Sequence, residues 1–93
     1  MKINITQKDI DNGMACDEYK CPIALAIKRA FNKGVDTNEV SVSYEDGQEL
    51  IIRVGTDYHH QSDIDKHEHI GNFISWFDNG LLDSTTPFTF NLS

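Results

Sequence analysis

The chain contains no run of about 18 apolar residues, the length a helix needs to cross a bilayer, so no membrane span is expected. Its opening residues, MKINITQKDI, lack the apolar core of a secretory leader. The expected location is therefore a cytoplasm, where Cys16 and Cys21 stay reduced rather than bridged. Cations are scarce. Eight Lys and Arg stand against 15 Asp and Glu, a net charge of −7. Nucleic-acid affinity comes largely from neutralising phosphates, so direct nucleic-acid binding is not expected, and an anionic membrane surface would repel the chain. Recognisable catalytic patterns are missing as well. There is no phosphate loop, dinucleotide fingerprint, HExxH, GxSxG or EF-hand loop, and no carboxylate pair stands out as acid and base. The expectation is a non-enzymatic protein without a cofactor.

The 93 residues fit one domain, 1–93. Ile3 and Ile5 alternate in KINIT, which predicts a strand over 2–6. Thr6 and Asp9 have capping-box spacing, which predicts a helical turn over 7–12, and DNGMACDEYK reads as a loop. Pro22 opens a helix over 22–33, with Ile23, Ile27, Ala30 and Phe31 on one face and Gly34 as its terminator. Lys28, Arg29 and Lys33 fall late in it, where the helix dipole favours cations.

Residues 39–54 read as a hairpin. A three-residue turn, Glu45-Asp46-Gly47, pairs Val42 with Leu50 and Val40 with Ile52 and keeps both apolar sets on one face. GTDYHHQS, 55–62, reads as a polar loop. Ser62 and Asp65 suggest a second capping box before a helix over about 63–79, with Ile70, Phe73, Ile74 and Phe77 as its core stripe, Trp76 at the core edge and Gly80 as its end. PFTFNLS gives a last strand with Phe88, Phe90 and Leu92 inward. The order β-α-β-β-α-β predicts an α+β two-layer sandwich: a four-stranded, mainly antiparallel sheet with two helices on one face, compatible with a ferredoxin-like arrangement. The other face would carry Asn4, Ser41, Ser43, Glu49, Ile51, Arg53, Thr89 and Asn91, a solvated surface or one open to a partner or a second copy.

Four histidines and several carboxylates crowd DYHHQSDIDKHEH. A long polar segment in a small domain is a reasonable docking site. The candidate partner-binding residues are Asp57, Tyr58, His59, His60, Asp63, Asp65 and Glu68, together with Glu49 and Arg53 on the neighbouring hairpin. The alternatives are a polar surface without a partner, or a metal or small-molecule site using this stretch or the Cys16/Cys21 loop. The spacing does not single out zinc, because Cys16 and Cys21 have four intervening residues and no second Cys pair follows. Cys21 at a helix start would be a reactive thiol if its pKa were lowered, and a packed residue otherwise.

The segments ITQKDIDNG, CDEYKCPIALAIKRA, FISWFDNG and PFTFNL resemble a group of small proteins encoded by tailed bacteriophages, with Cys21, Pro22, Ile23, Ala24, Leu25 and Ala26 carrying the match. The resemblance implies an accessory protein acting in the cytoplasm of an infected bacterium. Such proteins often inhibit host factors, including defence systems. It brings no catalytic residues. The expected function is binding and inhibition of a host protein, such as a nucleic-acid-binding defence component whose basic channel an acidic surface would fill.

Overall fold

The computed structural model describes residues 1–34, 36–44 and 48–92. Strand β1 (Lys2–Ile5) runs into helix α1 (Gln7–Asn12), and a loop leads to α2 (Pro22–Ala30). Strands β2 (Val40–Ser43), β3 (Ile51–Val54) and β4 (Asp57–His60) follow. A 3-10 turn over Gln61–Asp63 precedes α3 (His67–Asp78), and a second over Leu82–Ser84 precedes β5 (Phe88–Asn91). The α+β class holds. The single four-stranded sheet and the ferredoxin-like order do not: β1 pairs with β5 alone, and β2-β3-β4 form a separate antiparallel sheet.

Side chains and a loop keep the two sheets apart. Asp65 accepts the Asn91 N–H at 3.0 Å and Lys66 donates to the Thr89 carbonyl at 2.7 Å, so the outer side of β5 is occupied. Arg29 donates to the Asn4 carbonyl of β1 at 2.7 Å. The outer side of β2 gives its Val42 N–H to the Glu18 carbonyl at 2.8 Å. A main-chain group already paired this way is not open to a further strand.

The short-range expectations for the first helices hold. Thr6 and Asp9 form the capping box of α1, with side chain and main chain bonding reciprocally. Cys21 is the N-cap of α2, its Sγ accepting the Ala24 N–H at 3.4 Å. The end of α2 differs from expectation. Asn32, not Gly34, adopts the left-handed conformation (φ +56°), with Asn32 N–H bonded to the Arg29 carbonyl and Lys33 N–H to that of Lys28. This is a Schellman arrangement, which Asn tolerates well.

The hairpin register also shifts. Val40 faces Val54 and Val42 faces Ile52, two residues from the expected pairing. A shift of two preserves the buried face, so Val40, Val42, Leu50, Ile52 and Val54 all remain in the core. The proposed turn residues Glu45-Asp46-Gly47 lie outside the described residues. Helix α3 begins at His67 rather than near 63, because the chain first turns to bury Ile64. Its N-cap is Lys66 in the left-handed conformation (φ +57°), and the expected Ser62 cap is not used.

One core joins Ile3 and Ile5, the inner faces of α2 and α3, the second sheet, Phe90 and Leu92. Lys28 is also fully buried and donates to the Tyr19 carbonyl, which ties the 13–21 loop to α2. Gly13 is required where that loop meets α2: a Cβ there would lie 2.5 Å from Pro22 Cδ.

Candidate binding surface

The polar stretch expected to be a loop is instead an edge strand. Gly55 (φ +63°) and Thr56 form a two-residue turn, and β4 folds back on β3 with Asp57 opposite Val54, Tyr58 opposite Arg53, His59 opposite Ile52 and His60 opposite Ile51. Side chains alternate along a strand, so Tyr58 and His60 share the outward face with Arg53 and Ile51. Ser41 and Ser43 continue that face across β2. Asn4, Thr89 and Asn91, expected on the same surface, belong to the other sheet.

The structure divides the expected binding residues in two. Arg53 is a structural tie: its guanidinium donates to the Gly55 carbonyl at 3.1 Å and also to the Asn38 carbonyl. Asp65 is another, bonded to the main chain of β5. The remainder stand at the surface. Tyr58 is 62% exposed, unusually open for an aromatic side chain. Asp57, His60, Asp63, Glu49 and Glu68 are exposed, and His59 is half-buried. His60 Nδ1 lies 3.5 Å from a Glu49 carboxylate oxygen, a pair that carries charge on both sides only when the imidazole is protonated.

Charge is distributed unevenly. Residues 45–69 carry seven carboxylates and two bases, Arg53 and Lys66, which accounts for −5 of the total −7. Both bases donate to main-chain carbonyls of the chain itself. Among the described residues, the exposed carboxylates Glu49, Asp57, Asp63 and Glu68 thus have few internal counter-charges. Four of the eight bases, Lys8, Lys20, Arg29 and Lys33, instead line an open groove beside α1 and α2. Two of those four are already paired: Arg29 with Asp9 and Lys33 with Glu39 at 2.9 Å.

A larger open cleft of about 620 Å³ lies between the 16–21 loop, β2 and the end of α3, lined by Cys16, Glu18, Tyr19, Tyr44, Ser75 and Asp78 among others. Its acids mostly hold the loop. Asp78 accepts the Cys16 N–H at 2.9 Å, and Asp17 accepts the N–H groups of Tyr19 and Lys20 at 2.9 and 3.1 Å. The sequence singled out the Cys16/Cys21 loop as an alternative ligand site but not the walls that β2 and α3 give it, because the Cys16–Asp78 tie joins residues 62 apart.

The cysteines do not form a reactive pair. Cys16 is exposed, whereas Cys21 is buried and burial pushes its thiol up to about 11. The helix N-terminus that might have activated Cys21 is outweighed by loss of solvent around the sulfur. Among the described residues no three His, Cys, Asp or Glu side chains come together as a metal site. No described helix is long and apolar enough to cross a membrane. No protein-family model, curated protein or solved structure matches the chain.

Proposed function

We propose that this chain is a non-enzymatic, acidic accessory protein of phage type that binds and inhibits a host protein through the surface around β4. The observation that carries this reading is the charge asymmetry: seven carboxylates within residues 45–69, with the only two bases of that segment turned to main-chain carbonyls. A surface of this kind attracts a basic protein face and accelerates encounter with it. A channel that normally holds nucleic acid is such a face, which makes a nucleic-acid-binding defence component the partner class that fits, in the cytoplasm of an infected bacterium. The exposed Tyr58, next to Asp57 in β4, supplies an aromatic anchor of the type that concentrates binding energy at interfaces.

The test is co-purification from a bacterial lysate at low salt, set beside a charge-neutral variant (Asp57→Asn, Asp63→Asn, Glu68→Gln). A stoichiometric basic protein that elutes with added salt and is lost with the variant supports the reading. Equal capture by both forms overturns it.

The cleft beside the Cys16/Cys21 loop favours a second reading, binding of a small molecule, since about 620 Å³ falls within the usual range for ligand sites. A bound ligand would protect Cys16 from thiol reagents, and candidate metabolites that leave its modification rate unchanged would be rejected.

A further inference from the structure

We propose that β4 is a docking edge that takes an extended basic segment of the partner as an added strand. The inference deepens the binding reading above and rests on it. On each of the other three strand edges an outward main-chain group is already paired: on β5 with Asp65 and Lys66, on β1 with Arg29, and on β2 with the main chain of Glu18. Among the described residues, the outer side of β4 has no such cover.

The register shows which groups of β4 are available. In a two-residue hairpin the residues flanking the turn, Val54 and Asp57, form a hydrogen-bonded pair, and pairs then alternate along the ladder. Arg53–Tyr58 and Ile51–His60 are therefore the non-bonded pairs, and the main-chain N–H and C=O groups of Tyr58 and His60 point away from β3. The same alternation sends the Val42 N–H outward from β2, where the Glu18 carbonyl accepts it. At β4 the equivalent groups have no hydrogen-bond partner among the described residues.

Charge selects the occupant. A strand added here would run past Asp57 and Asp63 and near Glu49. A second copy pairing β4 to β4 would bring the same acidic segment against itself, which opposes self-association. An extended segment with alternating Lys or Arg would place main-chain groups on Tyr58 and His60 and cations beside the carboxylates.

The probe is a capped heptapeptide of alternating arginine and valine, with a glutamate–valine peptide as control. Two readouts are needed: affinity, and hydrogen exchange at the Tyr58 and His60 amides. The expected result is binding of the arginine peptide alone, with at least tenfold slower exchange at both amides. His60→Pro removes an outward donor that the native sheet does not use, and His60 already has φ −90°, close to the range proline adopts. It should bind about tenfold more weakly than His60→Ala, which loses the same imidazole but keeps the N–H. Exchange protection in the wild-type chain does not depend on either variant folding. Salt-sensitive binding without protection of the two amides overturns strand addition and leaves the acidic-surface reading standing. Protection without peptide, in a chain of dimeric mass, overturns the choice of occupant. Failure to bind any basic protein or peptide removes the underlying reading as well.

Discussion

The Asp9 carboxylate accepts from both terminal guanidinium nitrogens of Arg29, at 2.6 and 2.9 Å, while it closes the capping box of α1 through the Thr6 N–H at 2.9 Å. The same guanidinium also reaches the Asn4 carbonyl, so one ion pair joins β1, α1 and α2. The Asp9 side chain is almost fully buried and the Arg29 side chain about half exposed. Burial raises the Asp9 pKa, but the Arg29 and Thr6 hydrogen bonds outweigh it and leave the carboxyl below its ordinary value of 3.8. Asp9→Asn should cost about 2–4 kcal/mol, because it removes charged hydrogen bonds and leaves guanidinium donors short of an acceptor. Arg29→Met should cost a similar amount by stranding a buried carboxylate, and the double variant should lose much less than the sum. Thermal or urea unfolding of the three variants measures this coupling, and additive losses would show that the pair contributes little.

The pH dependence follows from the sign of the shift. A carboxyl with a lowered folded-state pKa contributes stability that is fully present above its unfolded value and disappears as pH falls through the folded one. Stability should therefore drop below about pH 3.8 in the wild-type chain, with a shallower drop in Asp9→Asn. Urea unfolding at successive pH values should show the two curves converging in acid. Parallel curves would remove Asp9 from the account.

Local chemistry was legible in the sequence and long-range pairing was not. Thr6 and Asp9 are three residues apart, and their spacing alone gave the α1 cap. The buried face of the hairpin was also readable, because alternation of Val40, Val42, Ile52 and Val54 fixes a register only to within two residues. The DYHH strand was hidden by its lack of apolar alternation. Its strand form comes from the Gly55-Thr56 turn and from pairing with β3, and the short Gly-Thr turn after IIRV was the available signal. The joining of Arg29 to Asp9 and of Asp78 to the Cys16 loop crosses the chain and leaves no spacing to read. Among the expected binding residues, Arg53 and Asp65 looked like surface charge because their partners are main-chain carbonyl and N–H groups, which every residue carries.

The two thiols should differ sharply in reactivity. Cys16 is exposed, and Cys21 is buried with its thiol pushed up to about 11, so only about one Cys21 in a thousand would be thiolate at pH 8 even if reagent could reach it. An aromatic disulfide reagent should modify one thiol quickly and the second only on unfolding. Cys16→Ser should abolish the fast phase. Two fast thiols in the folded protein would contradict the packing of Cys21.

Gly13 should be intolerant of a side chain. Its φ of −71° suits any residue, so the constraint is space: an added Cβ would sit 2.5 Å from Pro22 Cδ, in a rigid ring that cannot swing aside. Gly13→Ala should destabilise by about 1–3 kcal/mol, the range for forced overpacking. Elsewhere the same change often stabilises by reducing unfolded-state freedom, so a raised Tm would show that the loop shifts freely.

Arg53 and Tyr58 face each other across β3 and β4, yet they should fail in different ways when removed. Arg53 holds the Gly55 and Asn38 carbonyls, tying the β3–β4 turn to the segment before β2. Arg53→Ala should therefore cost about 1–3 kcal/mol of stability through lost charged hydrogen bonds. Tyr58 is 62% exposed, and its removal leaves no buried cavity, so Tyr58→Ala should change stability by less than about 0.5 kcal/mol. The order reverses for binding. Tyr58 should act as an anchor whose truncation weakens partner affinity by about 2 kcal/mol, the usual threshold for a strong interface residue. Arg53→Ala should leave affinity nearly unchanged at a temperature where the variant is fully folded, because its charge is already turned inward to the main chain. Measuring both variants by thermal unfolding and by titration with a basic partner separates the two roles. A Tyr58→Ala protein that keeps full affinity would move the binding site off this face, since no other exposed Phe, Tyr or Trp stands on β3 or β4.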